Sequence, residues 1–202
     1  MKKLAFIICF VTFLAGCNVN QPRDTGSANM FSLSPILYNK KMEKQFGNIE
    51  VDFPKADPEL DSYRMAILRR DNRQDYFAGV RWVDFLPTLV QSSMVDSMRD
   101  SGYFNIVVAD YADVKTNYAL QMEIHDFRVD YTISEPPTVK VSIYFIIADP
   151  QTQKAIGSFT VSKELKTKAD SISEIYLVFD KTFTLVQQEA IERIVVELKE
   201  KE

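Results

Sequence analysis

Between residues 118 and 147 the apolar side chains recur at every second position. Tyr118, Leu120, Met122 and Ile124 form one set, Phe127, Val129, Tyr131 and Ile133 a second, and Val139, Val141, Ile143, Phe145 and Ile147 a third. A period of two belongs to a pleated strand with one face on a core and the other in solvent. This stretch therefore excludes an all-helical fold and requires a largely antiparallel sheet covered on one face. The first two sets are out of phase, so the strand must slip a residue near His125 and Asp126, which predicts a β-bulge. Pro136-Pro137 turns the chain, Asp149-Pro150 ends the third run, and Phe159 and Val161 mark one more strand. The 139–147 run reads either as an interior strand or as an edge open to pairing.

What covers that sheet is written in two other periodicities. From about 172 to 200, Phe179, Phe183, Val186, Ala190, Ile194 and Leu198 follow one helical stripe. Leu86, Leu89, Val90, Met94 and Met98 do the same within 84–101, where Asp84 offers a cap, Pro87 suits the first turn and Gly102 stops the helix. Before it, residues 63–70 and 75–82 read as a hairpin about Asp71-Asn72-Arg73, and after it 103–108 reads as a strand. Strand, helix and strand here resemble a βαβ unit. Phe31, Leu33 and Ile36-Leu37 predict a first strand near 30–38, and Ile49, Val51 and Phe53 another, ended by Pro54. The expectation is one α/β domain over 30–202, with helices packed on a mixed, largely antiparallel sheet.

The first 29 residues follow different rules. Lys2 and Lys3 precede an apolar run from Leu4 to Leu14, too short to cross a bilayer and followed at once by polar residues. This is the layout of a secretory signal. It ends in Leu14-Ala15-Gly16-Cys17, which looks like a bacterial lipobox: the Cys17 thiol would carry diacylglycerol, and cleavage would remove residues 1–16. Residues 17–29 would then be a lipidated start and a flexible tether, since 18–29 hold only Val19 and Ala28 as apolar residues. Asn18, where an Asp would signal inner-membrane retention, favours the periplasmic face of the outer membrane.

Composition narrows the function. With 24 Lys and Arg against 28 Asp and Glu, the chain has a formal charge of −4 and no excess of cations for nucleic acid. One His and two Cys leave little for a His/Cys metal site. His125 alone could serve as a triad base, and its place in an alternating strand reads as structural. The six Gly are scattered, so no phosphate-binding loop is present. No catalytic, cofactor or metal residues are assigned. Tyr76, Phe77, Arg81, Trp82 and Phe85 concentrate the aromatic and cationic side chains typical of interface anchors. They form a candidate partner interface, against the plainer reading that Phe77 and Trp82 are core and Arg81 pairs with a carboxylate.

Several blocks occur in order: the lipobox; FSLSPI at 31–36; YRMAILRR at 63–70; the run from Tyr76 to Val108 containing Arg81-Trp82, Leu86-Pro87 and Ser101-Gly102-Tyr103-Phe104; and NYALQMEIHDFRV at 117–129. Together they resemble the ABC-type transport auxiliary lipoproteins, which include the lipoprotein partner of the paraquat-inducible mammalian-cell-entry (MCE) system. The resemblance spans nearly all of the chain after Cys17, except just before the 48–53 strand. It implies a fold similar to the N-terminal domain of TolB. It also implies a non-catalytic accessory subunit of a lipid transport system, docked on an MCE-type periplasmic protein with an ABC permease and ATPase, and able to form a homo-oligomer. Cys17 is the one position carried over with a chemical role. The alternative is an outer-membrane lipoprotein of similar fold that activates a peptidoglycan synthase or supports a secretion pore.

Overall fold

The computed structural model describes residues 29–39, 46–110 and 112–201. Cys17 and the expected signal and tether, apart from Asn29, lie outside them. Within them the chain forms β1 (Asn29–Phe31), β2 (Phe46–Val51), β3 (Lys55–Ala56), β4 (Arg64–Leu68) and β5 (Gln74–Trp82). Helix α1 (Leu86–Ser101) follows, then β6 (Phe104–Ala109), β7 (Tyr118–Asp130), β8 (Thr138–Asp149), β9 (Lys154–Lys166) and α2 (Ile172–Lys199).

All nine strands belong to one mixed sheet, the α/β architecture expected from the sequence. Its hub is β7. One edge of β7 pairs antiparallel with β8, and β8 with β9. The other edge takes β2, β3 and β4 in succession, each parallel. From there β6 extends the sheet beyond β2, and β5 and β1 extend it beyond β4. The ladder between β7 and β8 shifts register between Ile124 and Asp126, where the phase of the sequence changes. On one face Val139, Val141, Ile143, Phe145 and Ile147 are buried against the stripe Phe179, Phe183, Val186, Ala190, Ile194 and Leu198 of α2. The opposite face presents Gln121, Glu123, His125, Ser158, Thr160 and Ser162, and His125 is exposed there, stacked on Tyr144.

Three expectations are corrected. The strand near 30–38 stops at Phe31. Residues 32–39 form no regular element, and alternate N–H groups find helix side chains instead of a strand: Ser34 donates to Asp180 Oδ1 (2.8 Å), Ile36 to Ser97 Oγ (2.8 Å) and Tyr38 to Asp100 Oδ2 (2.6 Å). This strap kept the alternation of a strand because it too has one buried side, with Leu33 in the core. Second, Asp84 does not cap α1. The N-cap is Phe85 with no side-chain bond, and the Asp84 carboxylate accepts the Phe85 N–H at 2.7 Å. Third, β5, α1 and β6 are not a compact βαβ unit, because β4, β7 and β2 lie between the two strands. Of the two readings of the 139–147 run the interior one holds: β8 lies between β7 and β9, and β9 is the edge, which no alternation pattern can tell from its neighbour.

Gly102 ends α1 at φ 77°, the left-handed region that favours glycine. The helices meet through polar side chains. The buried Gln187 donates from Nε2 to Ser93 Oγ (2.9 Å) and Ser97 Oγ (3.0 Å), so the Ser97 hydroxyl joins both helices and the strap.

Candidate functional site

Strand β5 carries most of the residues marked out by composition, and the structure distributes them between its two ends and the core. Trp82 is 1% exposed. Its ring meets Phe127 and Phe179 edge-on, at 5.7 and 5.4 Å between centroids, while those two stack on each other at 5.4 Å. This is the centre of the core, so Trp82 leaves the interface set. The cause is register: β5 pairs with β1 at Val80–Trp82, which turns Val80 and Trp82 inward and Arg81 outward.

Tyr76 and Phe77 lie toward the β4–β5 turn. There Asn72 adopts φ 60°, tolerable for Asn, and the Arg69 N–H donates to the Arg73 carbonyl at 2.8 Å. Beside this turn opens a cavity of about 620 Å³. Arg69, Arg70 and Arg73 form its rim, Tyr76, Phe77 and Tyr131 its walls, and Ile67 and Ala78 its apolar part. Each arginine is held by a carboxylate: Arg69 by Asp75 (2.7 Å), Arg73 by Asp71 (2.6 Å) and Arg70 by Glu135. The Tyr76 N–H and Arg69 hold the Asp75 carboxyl below the usual carboxylate range, and Arg73 does the same for Asp71. Across the cavity Tyr131 donates its hydroxyl to Asp170 at 2.7 Å, and burial together with that bond pushes the Tyr131 phenol well above its ordinary value. The Arg64 guanidinium covers the other side of Tyr76, 3.7 Å from the ring centroid. The cavity is thus concave, aromatic-walled and of mixed charge, able to receive a side chain with both apolar and polar atoms.

Arg81 and Phe85 lie at the opposite end. With Met30, Tyr63 and Val83 they surround a shallow depression of about 230 Å³. Met30, Tyr63, Val83 and Phe85 are 56, 46, 51 and 46% exposed. Tyr63 and Phe85 meet edge-on at 5.8 Å, and Arg81 lies 3.5 Å from the Met30 sulfur. Sequence reading assigned Tyr76 and Phe77 but not the other cavity residues, nor Met30, Tyr63 or Val83. The Arg69-Arg70 pair with Arg73 was visible as a charge run at a turn, but only the fold brings Tyr131 and Asp170 to it.

A third depression, about 410 Å³, includes Glu50, Asp52, Gln121 and Asp149. Burial and then the neighbouring Asp52 raise the Glu50 carboxyl, and burial raises that of Asp52. Among the described residues no His, Cys, Asp and Glu side chains group in threes as a metal site would need.

No family model matches the chain, and no curated protein matches it. Solved structures do. Protein XCC0632 of Xanthomonas campestris, assigned to family DUF330, superposes with a TM-score of 0.78 at 16% identity, covering 86% of this chain and 98% of its own. A second, uncharacterised protein superposes with a TM-score of 0.65 at 12% identity, covering 83% and 99%. At these identities the likeness shows a shared fold.

Proposed function

We propose that this chain is a lipoprotein acylated at Cys17 on the periplasmic face of the outer membrane, where it serves as a non-catalytic accessory subunit of an ABC/MCE-type lipid transport system. It docks its MCE partner through the arginine-rimmed cavity at the β4–β5 turn. The observation that carries this reading is that cavity: Tyr76 and Phe77, from the sequence block that most resembles the auxiliary lipoproteins, form its wall. Tyr and Arg in a concave surface are the usual anchors of protein interfaces. The three ion pairs at the rim are between half-exposed or exposed side chains and contribute little stability, so a partner can exchange them. The ordered blocks from Phe31 to Val129 support the same assignment, and they lie on a fold shared with a DUF330 protein over most of both chains.

The test is capture of the full acylated chain from detergent-solubilised membranes. An MCE protein with its permease and ATPase is expected to co-purify, and Arg73→Glu or Phe77→Asp should reduce recovery at least tenfold with the far-UV circular dichroism unchanged. Recovery of cell-wall synthases without an MCE protein would overturn the reading.

One observation favours a second reading. Glu50 and Asp52 line one depression of about 410 Å³ with Gln121 and Asp149, and burial there raises both carboxyls, as a carboxylate pair in acid/base catalysis would need. Glycan or lipid-ester hydrolysis by the purified chain, abolished by both Glu50→Gln and Asp52→Asn, would establish it in place of the first.

A further inference from the structure

We infer that the depression bordered by Met30, Tyr63, Val83 and Phe85 is the surface on which the domain seats itself on the bilayer. The inference rests on acylation of Cys17. Residues 18–28 separate that cysteine from Asn29 and reach at most about 40 Å when extended. The chain enters the fold at β1, and Met30 of β1 is itself part of the patch. Four exposed apolar side chains at this end of the sheet therefore lie where the anchored segment arrives.

Three features favour lipid over protein as the occupant. The patch is small: seven residues line a depression of about 230 Å³, whereas stable protein interfaces need about 20–30 residues a side. Its composition, Tyr and Phe with Met, Val and one Arg, suits the zone between headgroups and acyl chains. And a short link to an anchor raises the local concentration of lipid to roughly millimolar, so a patch of only millimolar affinity is about half occupied and one tenfold tighter is largely occupied. The Arg81 cation and the exposed Asp84 carboxylate on the rim cancel, so seating depends on apolar insertion rather than lipid charge.

This fixes an orientation. β5 runs from Gln74 to Trp82, and with its register shift against β4 its ends lie opposite Leu68 and Tyr63, about 17 Å apart at the rise of an extended strand. With Phe85 at the membrane, the arginine-rimmed cavity at the other end is held away from it, facing the aqueous space.

The full acylated chain is reconstituted in phosphatidylcholine vesicles, with or without brominated acyl chains, carrying either Phe85→Trp or Ile133→Trp. Ile133 is exposed at the cavity end, beside Arg70. Trp82 is a constant core background. Bromolipid should quench the added fluorescence of Phe85→Trp at least twofold and leave Ile133→Trp unchanged, while aqueous iodide does the reverse. Replacing a third of the lipid with phosphatidylglycerol should shift neither result by more than about twofold. If the chain floats with the vesicles but Trp at 85 is open to iodide, the seating is wrong and the anchor stands. If Trp at 85 is shielded from both quenchers, protein covers the patch and the inference fails. A chain that does not float, with an unmodified N-terminal peptide by mass spectrometry, overturns the anchor and this inference with it.

Discussion

At the scale of single residues, Trp82 has the largest consequence for stability. It is 1% exposed and packs edge-on against Phe127 and Phe179. Trp82→Ala should cost about 3–5 kcal/mol, read as a shift in urea midpoint, and any loss of partner binding should follow unfolding. Asp52 gives a prediction of opposite sign. Its folded carboxyl pKa is raised by burial, so the folded state binds its proton more tightly than the unfolded chain does. This opposes folding above the raised pKa and fades as the pH falls below the ordinary aspartate value of about 3.9. Asp52→Asn should therefore raise Tm at pH 7 by about 1–2 °C, a small gain because the group is half-exposed, and the gain should vanish near pH 3.5. Trp82 also marks a limit of sequence reading. A Trp beside Arg in an aromatic-rich strand fits a core and an interface equally well, until the pairing of β1 with β5 decides which side faces in.

At the scale of elements, the informative regions are those joined by side chains rather than by ladders. The strap at 32–39 is held through Asp180, Ser97 and Asp100, and Ser97 is shared with Gln187. Ser97→Ala should leave the Ile36 N–H without its acceptor, cost about 1–3 kcal/mol, and speed hydrogen exchange at Ile36 more than in β8. Gly102→Ala should cost about 1–2 kcal/mol, because alanine is strained at φ 77°. Both effects are measurable by chemical denaturation. The Gly102 stop, the turn at Asp71–Arg73, the bulge at Ile124–Asp126 and the span of α2 were legible in sequence, since each depends on a local rule of conformation or phase. The strap was not, because a backbone that donates to helix side chains has the same apolar alternation as one that donates to a strand.

At the scale of the molecule, one mixed sheet carries both helices on one face and sets two unlike surfaces at the ends of β5. An anchored domain needs no membrane-spanning helix, and among the described residues no helix is long and apolar enough to be one. Under the proposed function, Cys17→Ala should abolish labelling by radioactive fatty acid and block normal signal removal, while the domain keeps its cooperative melting transition. Persistent labelling of that variant would place the anchor elsewhere.

Sequence alone determined the class of this chain: alternation at 118–147, the stripe of α2 and the stop at Gly102 are local patterns, and local patterns dictate local structure. It also supplied the Cys17 motif and five residues for a site. Only the tertiary structure decided how those five divide, into a buried Trp82, a cavity wall at Tyr76 and Phe77, and an exposed end at Arg81 and Phe85. Their division depends on strands that meet across long separations, β1 on β5 and β4 on β7. Pairing between distant segments leaves no periodic trace in either one, because each strand's own alternation is the same whatever lies beside it.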